Sequence, residues 1–246
     1  FLIKPNGTLW AWGNNSLGQL GIGNKINQSI AVQVGTANDW KMVATTSNFT
    51  IAIKKDGSLW GWGQNGSDGY LGLGDATITE SLVPIRIGVA TDWESVSVGY
   101  NHTIALKTNG TIWTWGYNLF GQLGDGSNTN RLSPTQVGID TDWSSISAGG
   151  NSSYAIKNNG SIFAWGINTS RQLGDGTNAV KYTPIQIGNS NDWKVVVAGN
   201  NHVLAQKTDG TLWAWGSNWA GQLGIGNYTF MRYPVKISND TDWKII

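Results

Sequence analysis

The chain repeats one eight-residue phrase five times, and that repetition restricts its possible folds more than any other property. The phrase is clearest at Asn109-Gly110-Thr111-Ile112-Trp113-Thr114-Trp115-Gly116, with edited copies beginning at Asn6, Asp56, Asn159 and Asp209. Each copy opens on Asn-Gly or Asp-Gly, the signal for a tight hairpin whose two central residues both need φ > 0. It then alternates as a strand does, with Trp113 and Trp115 on one side and Ile112 and Thr114 on the other, and closes on a glycine. The hairpin glycines Gly7, Gly57, Gly110, Gly160 and Gly210 are 50, 53, 50 and 50 residues apart. A second landmark, Asp-Trp, keeps step at Trp40, Trp93, Trp143, Trp193 and Trp243. The three extra residues of the second repeat fall at 64–81, a stretch read as loop, and insertions that avoid strands are what a repeat architecture predicts.

Four strands can be read in each unit; in the third they span 94–98, 103–107, 111–116 and 134–137. Pro84, Pro134, Pro184 and Pro234 open the fourth strand, which suits an outer edge where a missing N–H breaks no ladder. The third strand is apolar on both faces, as expected of a small sheet held between two others. The small Ala52, Ala105, Ala155 and Ala205 leave room for a large residue from an adjoining sheet. The Trp pair of one unit is therefore expected to fill the space beside the next. A mostly buried Trp removes about 150–250 Å² from water, an upper bound of about 4–6 kcal/mol each.

Repeats of this length with four strands predict an all-β fold: a single β-propeller of five four-stranded antiparallel blades. The repeats lie near 1–43, 44–96, 97–146, 147–196 and 197–246. Phe1 aligns with Leu204 in the second strand, and Ile246 with Val196 in the first. Residues 243–246 can thus supply the inner strand of the blade built from 1–34, closing the ring through both termini. The competing reading is a piece of a longer array with more blades.

The run Gly-Thr-Ile-Trp-Thr-Trp-Gly followed by Gly121-Gln122-Leu123-Gly124 resembles the regulator of chromosome condensation repeat family, bacterial type. The fuller pattern stands best at 98–124 and 198–224, and the resemblance covers essentially the whole chain. It implies blades around an axis, usually seven against the five repeats here. It also implies several functions. Some members are guanine nucleotide exchange factors that dock on nucleosomes through an inserted wedge and a charged face; here the longest insertion is three residues. Others are plant ultraviolet photoreceptors with Gly-Trp-Arg-His-Thr in their blades, where this chain has Gly99-Tyr100-Asn101-His102-Thr103, lacking the Trp and the Arg. Still others are secreted bacterial propellers that block an enzyme with one face, and these are nearest in composition.

Lys and Arg number 16 against 15 Asp and Glu, so no basic stripe is expected to neutralise phosphates, and nucleic acid is not an expected partner. No run of eighteen apolar residues occurs, so membrane insertion is not expected. With no cysteine, disulfides, thiolate metal sites and Cys nucleophiles are excluded. Richness in Gly, Asn, Thr and Ser leans toward a secreted or cell-surface protein.

No constellation for catalysis, metal or cofactor is legible. Phe49 and Ser152 occupy the positions equivalent to His102 and His202, so a ring of imidazoles is missing; the first reading is structural, hydrogen-bonding the strand turns, and both are kept with Tyr100 and the turn asparagines as candidate binding residues. Asn101 and Asn201 fit turn formation, with the lining of a polar central funnel as the functional alternative, together with Tyr100. Asp125-Gly126 and Asp175-Gly176 lack the spaced oxygen ligands of a calcium loop and read as turns. The recurring Asp before each Trp is expected to bond backbone N–H groups. Variation between units is more informative: the loops after the third strands carry Phe120, Arg171, Tyr182, Trp219, Tyr228, Phe230 and Arg232. Aromatics with Arg on rigid loops match the composition of protein-binding patches. The expected function is a non-catalytic protein-binding module, monomeric or part of a larger assembly. A lectin-like propeller with sugar sites between blades, or a structural segment of a surface adhesin or filament, are the alternatives.

Overall fold

Each repeat builds one antiparallel sheet in the computed structural model, which describes residues 1–244. The first sheet holds β1 (Leu2–Ile3), β2 (Leu9–Gly13) and β3 (Gln28–Gln33). The second holds β4 (Trp40–Thr45), β5 (Phe49–Lys54), β6 (Leu59–Gln64) and β7 (Glu80–Arg86), and the third β8 (Trp93–Val98), β9 (His102–Lys107), β10 (Ile112–Gly116) and β11 (Arg131–Gln136). The fourth comprises β12 (Trp143–Ala148), β13 (Ser152–Lys157), β14 (Ile162–Gly166) and β15 (Lys181–Gln186). The fifth comprises β16 (Trp193–Ala198), β17 (His202–Lys207), β18 (Leu212–Gly216) and β19 (Met231–Lys236). Strands pair in chain order, so the proline-bearing strand lies at the free outer edge of its sheet, where its missing donor breaks no bond.

The hairpin turns differ from the expected two-residue form. Only the glycine has positive φ, from 76° at Gly57 to 84° at Gly210. Gly57 N–H donates to Lys54 C=O at 2.9 Å and Lys54 N–H to Ser58 C=O at 3.0 Å, which makes a three-residue loop ending in a left-handed glycine. The side chain of the preceding residue explains the choice. Asp56 Oδ1 accepts from both the N–H and the hydroxyl of Ser58, and Ser58 Oγ accepts from the Trp60 indole at 2.8 Å. Asn109, Thr111 and Trp113 repeat the relay.

Large apolar residues concentrate between blades. Trp62, Trp115, Trp165 and Trp215 are fully buried, and each seats on the preceding blade rather than the following one. Trp62 donates its indole N–H to the Gln19 carbonyl at 2.9 Å, and Trp165 to that of Gln122 at 3.0 Å. The ring lies on a glycine of the same loop: a Cβ added to Gly124 would stand 2.5 Å from Trp165 Nε1. The other member of each pair stays half-buried. The Asp-Trp carboxylates also depart from expectation, since they meet lysines rather than backbone amides. Lys107 lies over Trp93 and Trp113, with Nζ 4.7 and 4.8 Å from the ring centroids, and reaches Asp92 at 2.9 Å. Its apolar stem covers the indoles while its charge stays at the rim. Lys54, Lys157 and Lys207 repeat the arrangement with Asp39, Asp142 and Asp192.

The first sheet has three strands, not four. Asp242–Lys244 form no strand, Ile245 and Ile246 lie outside the described residues, and the closing ladder expected between the termini is not formed among the described ones. Correspondingly Trp12, the counterpart of the four buried indoles, is 44% exposed.

Candidate functional site

Both the turn from first to second strand and the long loop after the third emerge at the same end of each four-stranded blade. Near the axis the turns form a funnel of about 330 Å³, lined by Thr45–Ser47, Val98–Tyr100, Ala148–Gly150 and Ala198–Asn200. Successive turns are tied together: Tyr100 N–H donates to Gly150 C=O at 2.9 Å, and Gly150 N–H to Asn200 C=O at 3.2 Å. Ser97 and Ser147 hydroxyls each accept a backbone N–H from the next inner strand. A funnel rimmed by glycine and backbone amides can accept an extended chain or a small polar group.

The long loops owe their shape to one buried asparagine per repeat, a role that sequence reading missed. Asn118 Oδ1 accepts the Leu123 N–H at 3.0 Å, while Nδ2 donates to the carbonyls of Ser127 and Thr129. Asn15, Asn65, Asn168 and Asn218 are likewise fully buried and bond the matching leucine. An amide that accepts and donates out of water in this way stiffens the loop from inside. The following glutamine adds a second clasp: Gln122 Oε1 accepts the Phe120 N–H at 3.0 Å. Its backbone carbonyl takes both Trp165 and the Ser153 hydroxyl of the next blade. The recurring Asn-x-x-Gly-Gln-Leu-Gly spacing carried this information, and only geometry separates its buried amides from its exposed neighbours.

Sequence candidates divide into three groups. Tyr100 lines the funnel and is 45% exposed, whereas Asn101 and Asn201 sit beside it in the turns and are not among its lining residues. His102 is fully buried, with Nε2 2.9 Å from the Ser153 hydroxyl across a blade junction. Burial pushes its pKa down to about 4, so it is a neutral ring within a junction. His202 is half-buried, and burial lowers its pKa as well. In the loops, Phe120 packs edge-on against Tyr117 at 6.1 Å, and Tyr182 lies against Gly121 of the preceding blade. Arg171 and Arg232 converge on a concavity of about 180 Å³ with Gly176, Thr177 and Asn178. Arg171 is the one non-glycine among the described residues with positive φ, 61°, at a place where the other repeats carry glycine. Phe230 is half-buried, while Trp219 and Tyr228 are each 73% exposed on the loop between β18 and β19 of the fifth blade. Asp125, though partly buried, is held below the usual carboxylate range by its bonds to Ser127 and Arg131, and is thereby committed to the loop.

A family model described as "RCC1-like domain" matches residues 1–246. The chain belongs to the RCC1-like domain family. Among curated relatives, the ultraviolet-B receptor UVR8 of Arabidopsis thaliana is 35% identical over 126 residues, covering 49% of this chain and 28% of the relative. The secretion-regulating guanine nucleotide exchange factor of Bos taurus is 31% identical over 124 residues, covering 49% and 26%. The match therefore spans only about a quarter of each relative. Among solved structures, yeast Prp20, in a study of its binding to Gsp1p and histones, superposes with a TM-score of 0.83 at 22% identity, covering 96% of this chain and 60% of that one. Human WBSCR16 superposes at 0.82 with 23% identity, covering 93% and 62%. These likenesses establish an RCC1-like propeller fold. No helix among the described residues is long and apolar enough to cross a membrane.

Proposed function

We propose that this propeller is a non-catalytic scaffold that binds a protein partner through the loop end of its blades. One observation carries the reading: an identical buried Asn clasp holds each loop rigid, while the side chains displayed on it differ from blade to blade and include two aromatics, Trp219 and Tyr228, left 73% in solvent. A loop already ordered gives up little entropy on association, and exposed aromatics with nearby Arg are what binding hot spots are made of. Binding of proteins by RCC1-type relatives, as with yeast Prp20 and Kap60, is in keeping with it. Low charge and abundant Gly, Asn and Thr favour a place outside the cell, secreted or at a bacterial surface.

A photo-crosslinker at position 219 should capture one defined protein that the same crosslinker at Lys41, on an inner strand, does not. Trp219→Ala with Tyr228→Ala should then weaken binding to that purified partner by about 2 kcal/mol or more without shifting the melting temperature. Unchanged affinity, or selective binding to a glycan array instead, would overturn the reading.

A further inference from the structure

At the junctions between consecutive blades, one position of the preceding blade's long loop faces one position of the next blade's outer strand. A Cβ added at Gly18, Gly69 or Gly121 would stand 2.5, 2.7 or 2.6 Å from Leu82, Leu132 or Tyr182 respectively. The loop glycine thus makes room for a large neighbour. The junction between the fourth and fifth blades departs from this at both positions: Arg171 stands in place of the glycine, and Arg232 in place of the Leu or Tyr.

Both choices work against folding. Arg171 keeps the left-handed backbone of the glycine it replaces, with φ 61°, a conformation that disfavours any residue with a Cβ. It also shares one concavity of about 180 Å³ with Arg232, so two like charges line the same notch. Neighbouring cations are neutralised, Arg131 by Asp125 and Lys181 by Asp175 at 3.3 Å. Asp175 is further committed to Asn168 and Thr177. Among the described residues Arg171 and Arg232 meet no carboxylate. The guanidinium hydrogen bonds are those of Arg86 and Arg131, so the N–H forks of this pair are unspent. Asn178 adds an exposed amide to the wall, and Tyr233 Oη lies over Gly176, where the other four-stranded blades carry Val83, Ser133 and Thr183. The outer-strand position stays accessible inside the array: Tyr182, the counterpart of Arg232, is 42% exposed with a four-stranded blade on either side of its own.

We propose that this notch is a carboxylate-binding subsite that takes an acidic side chain from a protein partner. Two guanidinium forks match the planar, bidentate geometry of a carboxylate, and a negative group between them removes their repulsion. The volume suits one such group, since sites for whole small molecules run to about 300–1,000 Å³. That the carboxylate comes from a protein rests on the scaffold reading above; that the notch binds one does not.

NMR titration of the isotope-labelled chain with an acetylated glutamate hexapeptide amide tests this, at low ionic strength where exposed charges are least screened. The Arg171 and Arg232 Nε–Hε signals, assigned from the variants, should move together to saturation, and the glutamine hexapeptide should leave them in place. Arg171→Gly and Arg232→Leu, which install residues that other junctions already carry, should each weaken binding at least tenfold. Arg171→Gly should also raise the melting temperature by relieving a left-handed Cβ, whereas an arginine serving the fold would lower it. Arg86→Gln, on β7, should bind as wild type does. Signals that stay fixed, an equal response to glutamine, undiminished binding by either variant, or a lower melting temperature for Arg171→Gly would each overturn the proposal. Tighter binding of inorganic phosphate than of the glutamate peptide would overturn it in favour of a phosphoryl group. Failure of the crosslink at position 219, with the notch still binding glutamate, would overturn the scaffold reading alone.

Discussion

His102 shows how a residue type associated with chemistry is consumed by architecture. Its ring is fully buried and its pKa is pushed down to about 4 by loss of water. An unfolded chain would bind a proton near the ordinary value of 6.5. The folded form is therefore favoured in full above about pH 6.5, and that advantage is lost as pH falls from there through 4, by roughly 3 kcal/mol at most. Thermal melts between pH 7.5 and 4 should show this decline, and His102→Phe, which installs the residue found at the matching Phe49, should flatten it. Phe49 and Ser152 at the matching positions of other repeats favour a structural role for His102, although the sequence also leaves it a candidate binding residue beside Tyr100. That it bridges two blades through Ser153 was not legible, since the partner lies 51 residues away.

At the level of the strand and loop, the elements and their edges were legible because hairpin glycines and Asp-Trp pairs keep a common period. The turn type was not. Asn-Gly was read as a two-residue turn, whereas the Asx oxygen capturing the Thr or Ser two residues on makes three residues the better solution. The direction of inter-blade packing was likewise hidden, because a Trp flanked by small residues fits a neighbour on either side. Gly124 is the place to test the junction. Gly124→Ala brings Cβ against Trp165 in a left-handed conformation at φ +72°, and the loss in urea denaturation should be about 2–4 kcal/mol. Gly126→Ala in the same loop, at φ +82° with its nearest neighbour 3.8 Å away, should cost only the backbone term, about 1 kcal/mol. Equal losses would mean the indole seat contributes nothing.

Across the whole molecule, each blade leans only on its immediate neighbours, so stability is a sum of blades and junctions. Among the described residues the second, third and fourth blades have two neighbours each, while the first has one and only three strands. Native-state hydrogen exchange should leave β5, β9 and β13 most protected and release β1–β3 earliest. Uniform protection would contradict a one-dimensional account. The residues displayed on the loops differ from repeat to repeat in the sequence itself, but their grouping depends on where each loop is pinned, and that lies in buried amides no periodicity reveals. Because one seat of glycine, carbonyl and indole serves every junction, a fifty-residue cassette copied or deleted in the gene would find its contacts already in place. Such an array can lengthen, shorten or exchange whole units without new packing, and the aromatics at its rim travel with the cassette that bears them.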